Sequence, residues 1–165
     1  MEIRIEEARD INAIRAMTRA AFKPVLHSSQ TEAAIVDALR DSGVLSLSLV
    51  AVEAGEIVGH VAFSPITIDG VEKGWFGLGP VSVSPDWQRN GIGASLIEDG
   101  LHRLLAAKAK GCVVLGDPKY YARFGFGVDS GLVLDGVPAE YFMRRVFEGD
   151  VPVGRVAYHQ SFEAK

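Results

Sequence analysis

Apolar positions recur along the chain in two periods, and the switches between them mark out its elements. Residues 1–5 alternate as a short strand, the pattern of a half-buried strand. Ile11, Ile14, Met17 and Ala21 follow at helical spacing over 9–22, and Pro24 ends that helix because its ring cannot continue the hydrogen-bond ladder. Ile35, Leu39 and small alanines form the inner face of a second helix over 31–41, which Gly43 closes. Three strands are predicted next, over 45–52, 57–68 and 73–83. A turn at Glu53-Ala54-Gly55-Glu56 joins the first two, and Asp69-Gly70 is a hairpin signal between the others.

The helical period returns after residue 90. Ile92, Leu96, Ile97, Leu101, Leu104 and Leu105 share one stripe, while Glu98, Asp99, His102 and Arg103 lie mostly on the other faces. A fully apolar strand over 112–116 comes next, parallel to its predecessor because a long helix connects the two. A helical turn then opens at Asp117-Pro118. The spacing beyond it predicts a strand near 132–134, a helix over 139–147 opened by Pro138, and a last strand over 154–159. The fold expected is a mixed α/β arrangement: a twisted, mostly antiparallel sheet of six or seven strands with helices on both faces.

Composition narrows the function classes. A hydrophobic content of 48% and a charged content of 23% suit one soluble globular domain over residues 1–165. A net charge of −4, with no basic run, argues against nonspecific nucleic-acid binding. The N-terminal stretch has no apolar signal core, and no apolar run is long enough to span a bilayer, so no membrane partner and a cytoplasmic location are expected. One cysteine allows neither an intrachain disulfide nor a cysteine cluster for a metal, and no metal is expected.

The chemistry concentrates in residues 78–105. A short apolar strand, 78–83, turns at Ser84-Pro85-Asp86 and crosses Gln88-Arg89-Asn90-Gly91-Ile92-Gly93 into the amphipathic helix. A helix start leaves backbone N–H groups without intrahelical partners, and the dipole there favours negative charge. Gly91 and Gly93 remove side chains where phosphates would approach the backbone. Residues Arg89, Asn90, Gly91, Ile92, Gly93 and Ala94 therefore read as a pyrophosphate cradle. A glycine-rich turn that only lets the helix pack close to the sheet is the other reading, and spacing alone does not separate them.

The pattern Gln88-x-x-Gly91-x-Gly93, directly after a strand ending in Val-Ser-Pro, resembles the acetyl-CoA signature of the GNAT superfamily of N-acetyltransferases. Downstream, Asp117-Pro-Lys-Tyr-Tyr-Ala-Arg-Phe-Gly-Phe126 is similar to the family's second motif, a tyrosine shortly before Gly-Phe. The resemblance implies a GNAT-type fold, acetyl-CoA as co-substrate, and transfer of an acetyl group to an amine of a small molecule or peptide. It implies main-chain contacts to the pantetheine arm from Val81, Ser82 and Val83, and cofactor binding by Gln88 and the cradle. It also implies that Tyr121, four residues before Gly125, is the general acid for the leaving thiolate. Tyr120 competes, because sequence does not fix the register of a short turn. A homodimer is left open.

Two features stand outside the pattern. Many family members carry a glutamate on the strand before the cofactor loop, but Phe76-Gly-Leu-Gly-Pro80 holds no carboxylate. Options for the base are His60, Glu32 and His159, or no dedicated base is needed where an already neutral amine enters a direct ternary complex, and none is assigned. His27 and Glu32 are acceptor-contact candidates, set against a solvated loop histidine and a first-turn carboxylate favoured by the dipole. His60 is set against a packed strand histidine, and Cys112 reads as a small buried hydrophobe rather than a nucleophile. Two rival functions remain. One is an acyl-CoA-binding regulatory module without turnover. The other is a dinucleotide-binding oxidoreductase, which fits poorly because position 96 is Leu where the fingerprint has its third glycine.

Overall fold

Eight strands and four helices form in the order β1 (Glu2–Ile5), α1 (Ile11–Phe22), α2 (Glu32–Asp41), β2 (Leu47–Glu53), β3 (Glu56–Ile68), β4 (Val71–Val83), α3 (Ile92–Ala106), β5 (Gly111–Leu115), α4 (Pro118–Tyr121), β6 (Leu132–Val133), β7 (Phe142–Val146) and β8 (Gly154–Ala157). The computed structural model describes residues 1–165. Strand order is β1-β2-β3-β4-β5-β7, with β8 paired to β3 and to β6. Pairs β1–β2, β2–β3, β3–β8 and β5–β7 are antiparallel, and β4–β5 and β6–β8 are parallel. No helix is long and apolar enough to cross a membrane. The chain folds as two compact units, one of Met1–Phe63, Gly79–Gly100 and Gln160–Lys165, the other of Ser64–Leu78 and Leu101–His159.

In the first unit β3 is covered on both faces. Its even-numbered side meets α1 and α2: His60 pairs with Val50 of β2, and Val50 packs with Ile14 and Val36. Its odd-numbered side meets α3. A side chain on Gly59 would lie 2.9 Å from Ile92 Cγ2 and Leu96 Cδ1, and one on Gly100 of α3 would overlap the ring of Phe63. Two glycines, one on each partner, thus let helix and strand approach closely. Burial of a strand on both faces explains why residues 58–64 are all buried and why the alternation there is weak.

The same unit holds a chain of charges between β1, α1 and α2. Arg40 grips Glu6 through two hydrogen bonds of 2.8 and 2.9 Å, and also reaches Asp37 at 3.0 Å. Asp37 in turn accepts from Arg15 at 2.7 and 3.2 Å. These pairs fix how the first two helices seat over the sheet.

The second unit is organised by the parallel pair. β4 and β5 register as Trp75↔Gly111, Phe76↔Cys112 and Gly77↔Val113, the geometry that a strand–helix–strand crossover produces. Trp75 is buried over Gly111, and with Ile66, Ile68, Val113, Leu132, Phe142 and Val156 it forms this unit's core.

The region after residue 138 departs from the expectation of a helix over 139–147. Residues Ala139–Tyr141 form only a 3-10 turn, and Phe142–Val146 is strand β7, paired over its whole length with β5. Phe142 and Met143 are both buried, one toward each face of the sheet. Two adjacent apolar residues satisfy a helical stripe and a doubly covered strand alike, and pairing with β5 decides between them. β7 also brings the sheet to eight strands rather than six or seven.

The Gly100–Phe63 approach carries a direct consequence. Gly100→Val overpacks the α3–β3 contact at a cost of about 1–3 kcal/mol, which lowers the melting temperature by roughly 2–10 °C for a chain of this size. Glu98→Val, at an exposed position of the same helix, leaves it within about 2 °C. Calorimetric melting of both variants tests this, and equal effects would contradict the close approach.

Candidate functional site

Strand β4 ends at Val83, and the route from there to α3 is held by side chains closing on the backbone. Pro85–Trp87 forms one 3-10 turn. Gln88 then donates from Nε2 back to the Val83 carbonyl at 3.0 Å, and Asn90 donates from Nδ2 to the carbonyls of Trp87 and Gln88 at 3.0 and 3.2 Å. The side chains of Gln88 and Asn90 therefore tie the loop together, and what they leave for a ligand is main chain. Arg89 and Gly91 both have positive φ, 68° and 77°. Alternation of left-handed residues with ordinary ones turns successive N–H groups toward one side, a concavity suited to an anion.

The helix itself begins at Ile92, and its first turn is closed by Ser95 N–H donating to the Gly91 carbonyl at 3.0 Å. The N–H groups of Ile92, Gly93 and Ala94 precede that bond and have no intrahelical acceptor. Ile92 is buried against the position of Gly59, which anchors this end of the helix, whereas Gln88, Arg89, Asn90 and Gly91 are exposed. The space where a Gly91 side chain would stand is open. Glycine is required there by its φ rather than by crowding.

The strand residues named from sequence divide by exposure. Val81 and Val83 are half-buried. Ser82 is buried, with its Oγ 3.2 Å from Thr18 Oγ1 of α1. Pairing of β4 with β5 stops at Gly77↔Val113, whereas β4 continues to Val83. Main-chain groups beyond Leu78 on that edge are thus outside the β5 ladder.

The second motif lies in the second unit. Asp117 caps α4 by accepting from Lys119 N–H at 2.9 Å, with Pro118 at the first helical position, the favoured arrangement for a helix start. Gly125 ends the following turn with φ 86°. The two tyrosines part company here. Tyr121 lies against Gly116 at the end of β5, so closely that a side chain at 116 would overlap its ring, and meets Phe126 edge-on at 6.0 Å. Tyr120 is stacked under the Arg123 guanidinium at 4.6 Å and against Phe124 at 5.4 Å. Burial, reinforced by Tyr120 and Cys112, pushes the Tyr121 phenol up to about 12.

The remaining candidates fall into place individually. Both Glu32 carboxylate oxygens lie 2.7 Å from Ser28 Oγ and share its one proton, which ties Glu32 to its own loop, and His27 is exposed. His159 is half-buried. Cys112 is fully buried, and burial pushes its thiol well above the ordinary range, as befits a packing residue. No group of three His, Cys, Asp or Glu residues is placed to hold a metal ion.

His60 is the candidate that changes most. It is fully buried, and its Nε2 lies 2.7 Å from Ser48 Oγ, which also bonds to the Glu6 carboxylate. Burial pulls its pKa down to about 4, with Glu6 opposing and Arg40 assisting that shift. Neither Ser48 nor Glu6 is singled out by sequence motifs. The available signal is Ser48 itself, a polar residue in an otherwise apolar strand flanked by Leu47 and Leu49.

Comparison with known proteins places the chain by sequence and fold. The family described as "Acetyltransferase (GNAT) domain" matches residues 45–128. The uncharacterized N-acetyltransferase YhbS of Escherichia coli (strain K12) is 33% identical over 169 residues, covering 98% of each chain. A crystal structure of a GNAT family acetyltransferase from Brucella melitensis in complex with acetyl-CoA is similar at 52% identity and a TM-score of 0.89, over 98% of this chain and 97% of that one. The structure of E. coli YhbS in complex with CoA is similar at 32% identity and a TM-score of 0.90, over 98% of this chain and 91% of that one. The chain belongs to the GNAT family of acetyltransferases.

Proposed function

We propose that residues 1–165 act as one domain that moves an acetyl group from acetyl-CoA to a primary amine by direct attack in a ternary complex. The observation that carries this reading is the set of amides at Ile92, Gly93 and Ala94 that precede the first intrahelical bond, behind the positive-φ turn of Arg89 and Gly91. Those amides and the positive end of a fifteen-residue helix suit a pyrophosphate. That the Brucella relative is bound to acetyl-CoA and YhbS to CoA supports the same ligand here.

Cofactor positioning, oxyanion stabilisation and protonation of the leaving sulfur then each have residues. Val81, Ser82 and Val83 supply main-chain groups to the pantetheine arm. A main-chain N–H in this stretch donates to the oxyanion as the amine bonds the thioester carbon, the type of interaction that contributes most in acyl transfer. Tyr121 gives its proton to the departing sulfur. A phenol near 12 stays protonated at neutral pH, and burial disfavours the thiolate as well, which narrows the gap to the reference thiol value of about 8.5. Tyr120, held by Arg123 and Phe124, is committed to packing.

A second reading, an acyl-CoA-binding module without turnover, is favoured by one feature. The stretch 76–80 carries no carboxylate, and Gly77 within it is covered by the ring of Tyr158. Thiol release from acetyl-CoA in the presence of spermidine, lysine, an alanyl peptide and an aminoglycoside separates the two. Release with any of them is expected; binding without release from this panel would favour the module.

Two variants test the roles. Gly91→Glu forces a non-glycine residue to positive φ, costing about 1–2 kcal/mol, and adds like charge beside the phosphates. It is expected to raise the acetyl-CoA dissociation constant at least about tenfold, and unchanged affinity would remove the cradle assignment. Tyr121→Phe should lower kcat by about 10²–10⁴-fold, the range for a lost general acid, with acetyl-CoA affinity kept within about twofold. Parallel losses in both quantities would make Tyr121 a binding residue instead.

A further inference from the structure

Glu6, Ser48 and His60 form a hydrogen-bond chain whose direction can be assigned. Burial pushes the Glu6 carboxyl up, but the hydrogen bonds from Arg40 and Ser48 outweigh it and hold the group below its usual value. Glu6 is therefore ionised near neutrality and only accepts. Ser48 Oγ must then give its single proton to Glu6. Its 2.7 Å contact with His60 leaves Oγ as the acceptor and Nε2–H as the donor. A neutral imidazole carries one N–H, so Nδ1 is left with a bare lone pair. That atom is buried and has no hydrogen-bond partner, an arrangement rare enough in folded proteins to call for a reason.

The place of His60 on the sheet supplies one. Ser84 N–H donates to the Val58 carbonyl at 2.8 Å. Ser82 of β4 lies two residues before Ser84, and its Oγ meets Thr18 Oγ1 of α1 at 3.2 Å, the helix that covers the His60 face of β3. Ser82 lies between Val81 and Val83, the stretch to which the pantetheine arm and the reacting carbonyl are assigned above. At the other end of the chain, Glu6, Arg40, Ser46 and Ser48 line a cleft of about 220 Å³ that opens to solvent.

We infer that His60, Ser48 and Glu6 form a proton relay that accepts the proton lost by the attacking amine and carries it across β2 to this cleft. The inference rests on the acetyl-transfer reading and supplies the proton acceptor that the 76–80 stretch lacks. As the amine nitrogen bonds the thioester carbon and the C–S bond breaks, the N–H proton passes to Nδ1 and the Nε2 proton to Ser48 Oγ. The Ser48 proton passes to Glu6, and the sulfur leaves with the bonding pair and takes its proton from Tyr121. Glu6 then releases its proton to water in the cleft. Once the product has left, the ring regains its starting tautomer by losing the Nδ1 proton to water entering the acetyl site and taking one at Nε2 through Ser48. No imidazolium accumulates in the buried site, consistent with the strong resistance of His60 to protonation. Arg40, doubly bonded to Glu6, is a positioning residue that keeps the carboxylate aimed at Ser48.

Two measurements test the relay. The ¹⁵N spectrum of the whole protein, with His60 assigned by its loss in His60→Gln, should show a neutral ring protonated at Nε2. The Nδ1–H tautomer would overturn the inference whatever the activity of the variants. Thiol release is then followed with whichever amine of the panel the wild-type protein acetylates. Ser48→Ala is expected to lower kcat by about 10²-fold, to reduce the solvent deuterium isotope effect, and to leave the KM for acetyl-CoA within about twofold. Ser48→Thr, which keeps the hydroxyl, should recover most of the rate. An unaltered kcat in a folded Ser48→Ala protein would remove the relay while leaving acetyl transfer standing. Absence of thiol release from the wild-type protein with every amine would remove the acetyl-transfer reading, and the relay with it.

Discussion

The close seating of α3 on β3 is the constraint that positions the first turn of α3, to which the pyrophosphate is assigned above. Gly59 on the strand and Gly100 on the helix let the two backbones approach, with Ile92, Leu96 and Phe63 filling the space that side chains would otherwise occupy. Ile92 is the first residue of the helix and, together with Leu96, is pressed against Gly59. The N–H groups of the first turn are thereby held by a packed apolar contact rather than by the loop before them. On the acetyl-CoA reading, dipole and amides are set before the ligand arrives, and such preorganisation lowers the ordering cost of binding.

The opposite face of β3 obeys a different rule. There the strand turns His60 toward helices α1 and α2, among polar as well as apolar groups. Burying a carboxylate and a histidine is costly unless each is partnered. Arg40 meets the cost at Glu6 with paired hydrogen bonds, and Ser48 links Glu6 to His60. On the reading proposed above, one strand separates two tasks. Its glycine side anchors the helix assigned to the phosphates, and its histidine side carries the proposed proton relay.

Much of this was legible in the sequence, for reasons that differ between elements. The strand–turn–helix unit at 78–105 was readable because its signals are local: an apolar strand, loop glycines, and a long stripe from Ile92 to Leu105. Tyr121 could be placed relative to Gly125, but its separation from Tyr120 needed the contact with Gly116, which no local pattern contains. β7 was misread as a helix because Tyr141-Phe142-Met143 and Val146-Phe147 satisfy a helical stripe, and only pairing with β5 selects the strand. The Glu6–Ser48–His60 chain was illegible for a related reason. Its members lie on β2, on β3 and directly after β1, and the register that aligns them is a property of the sheet, not of any segment.

The central claim is that main-chain amides from Arg89 to Ala94 hold the pyrophosphate of acetyl-CoA. Calorimetric titration with acetyl-CoA, and in parallel with S-acetylpantetheine, which has the same thioester arm but no pyrophosphate, tests it most directly. The account predicts that acetyl-CoA binds at least about 100-fold more tightly, a difference of about 2.7 kcal/mol. Equal affinity for the two, or no binding of acetyl-CoA, would contradict it.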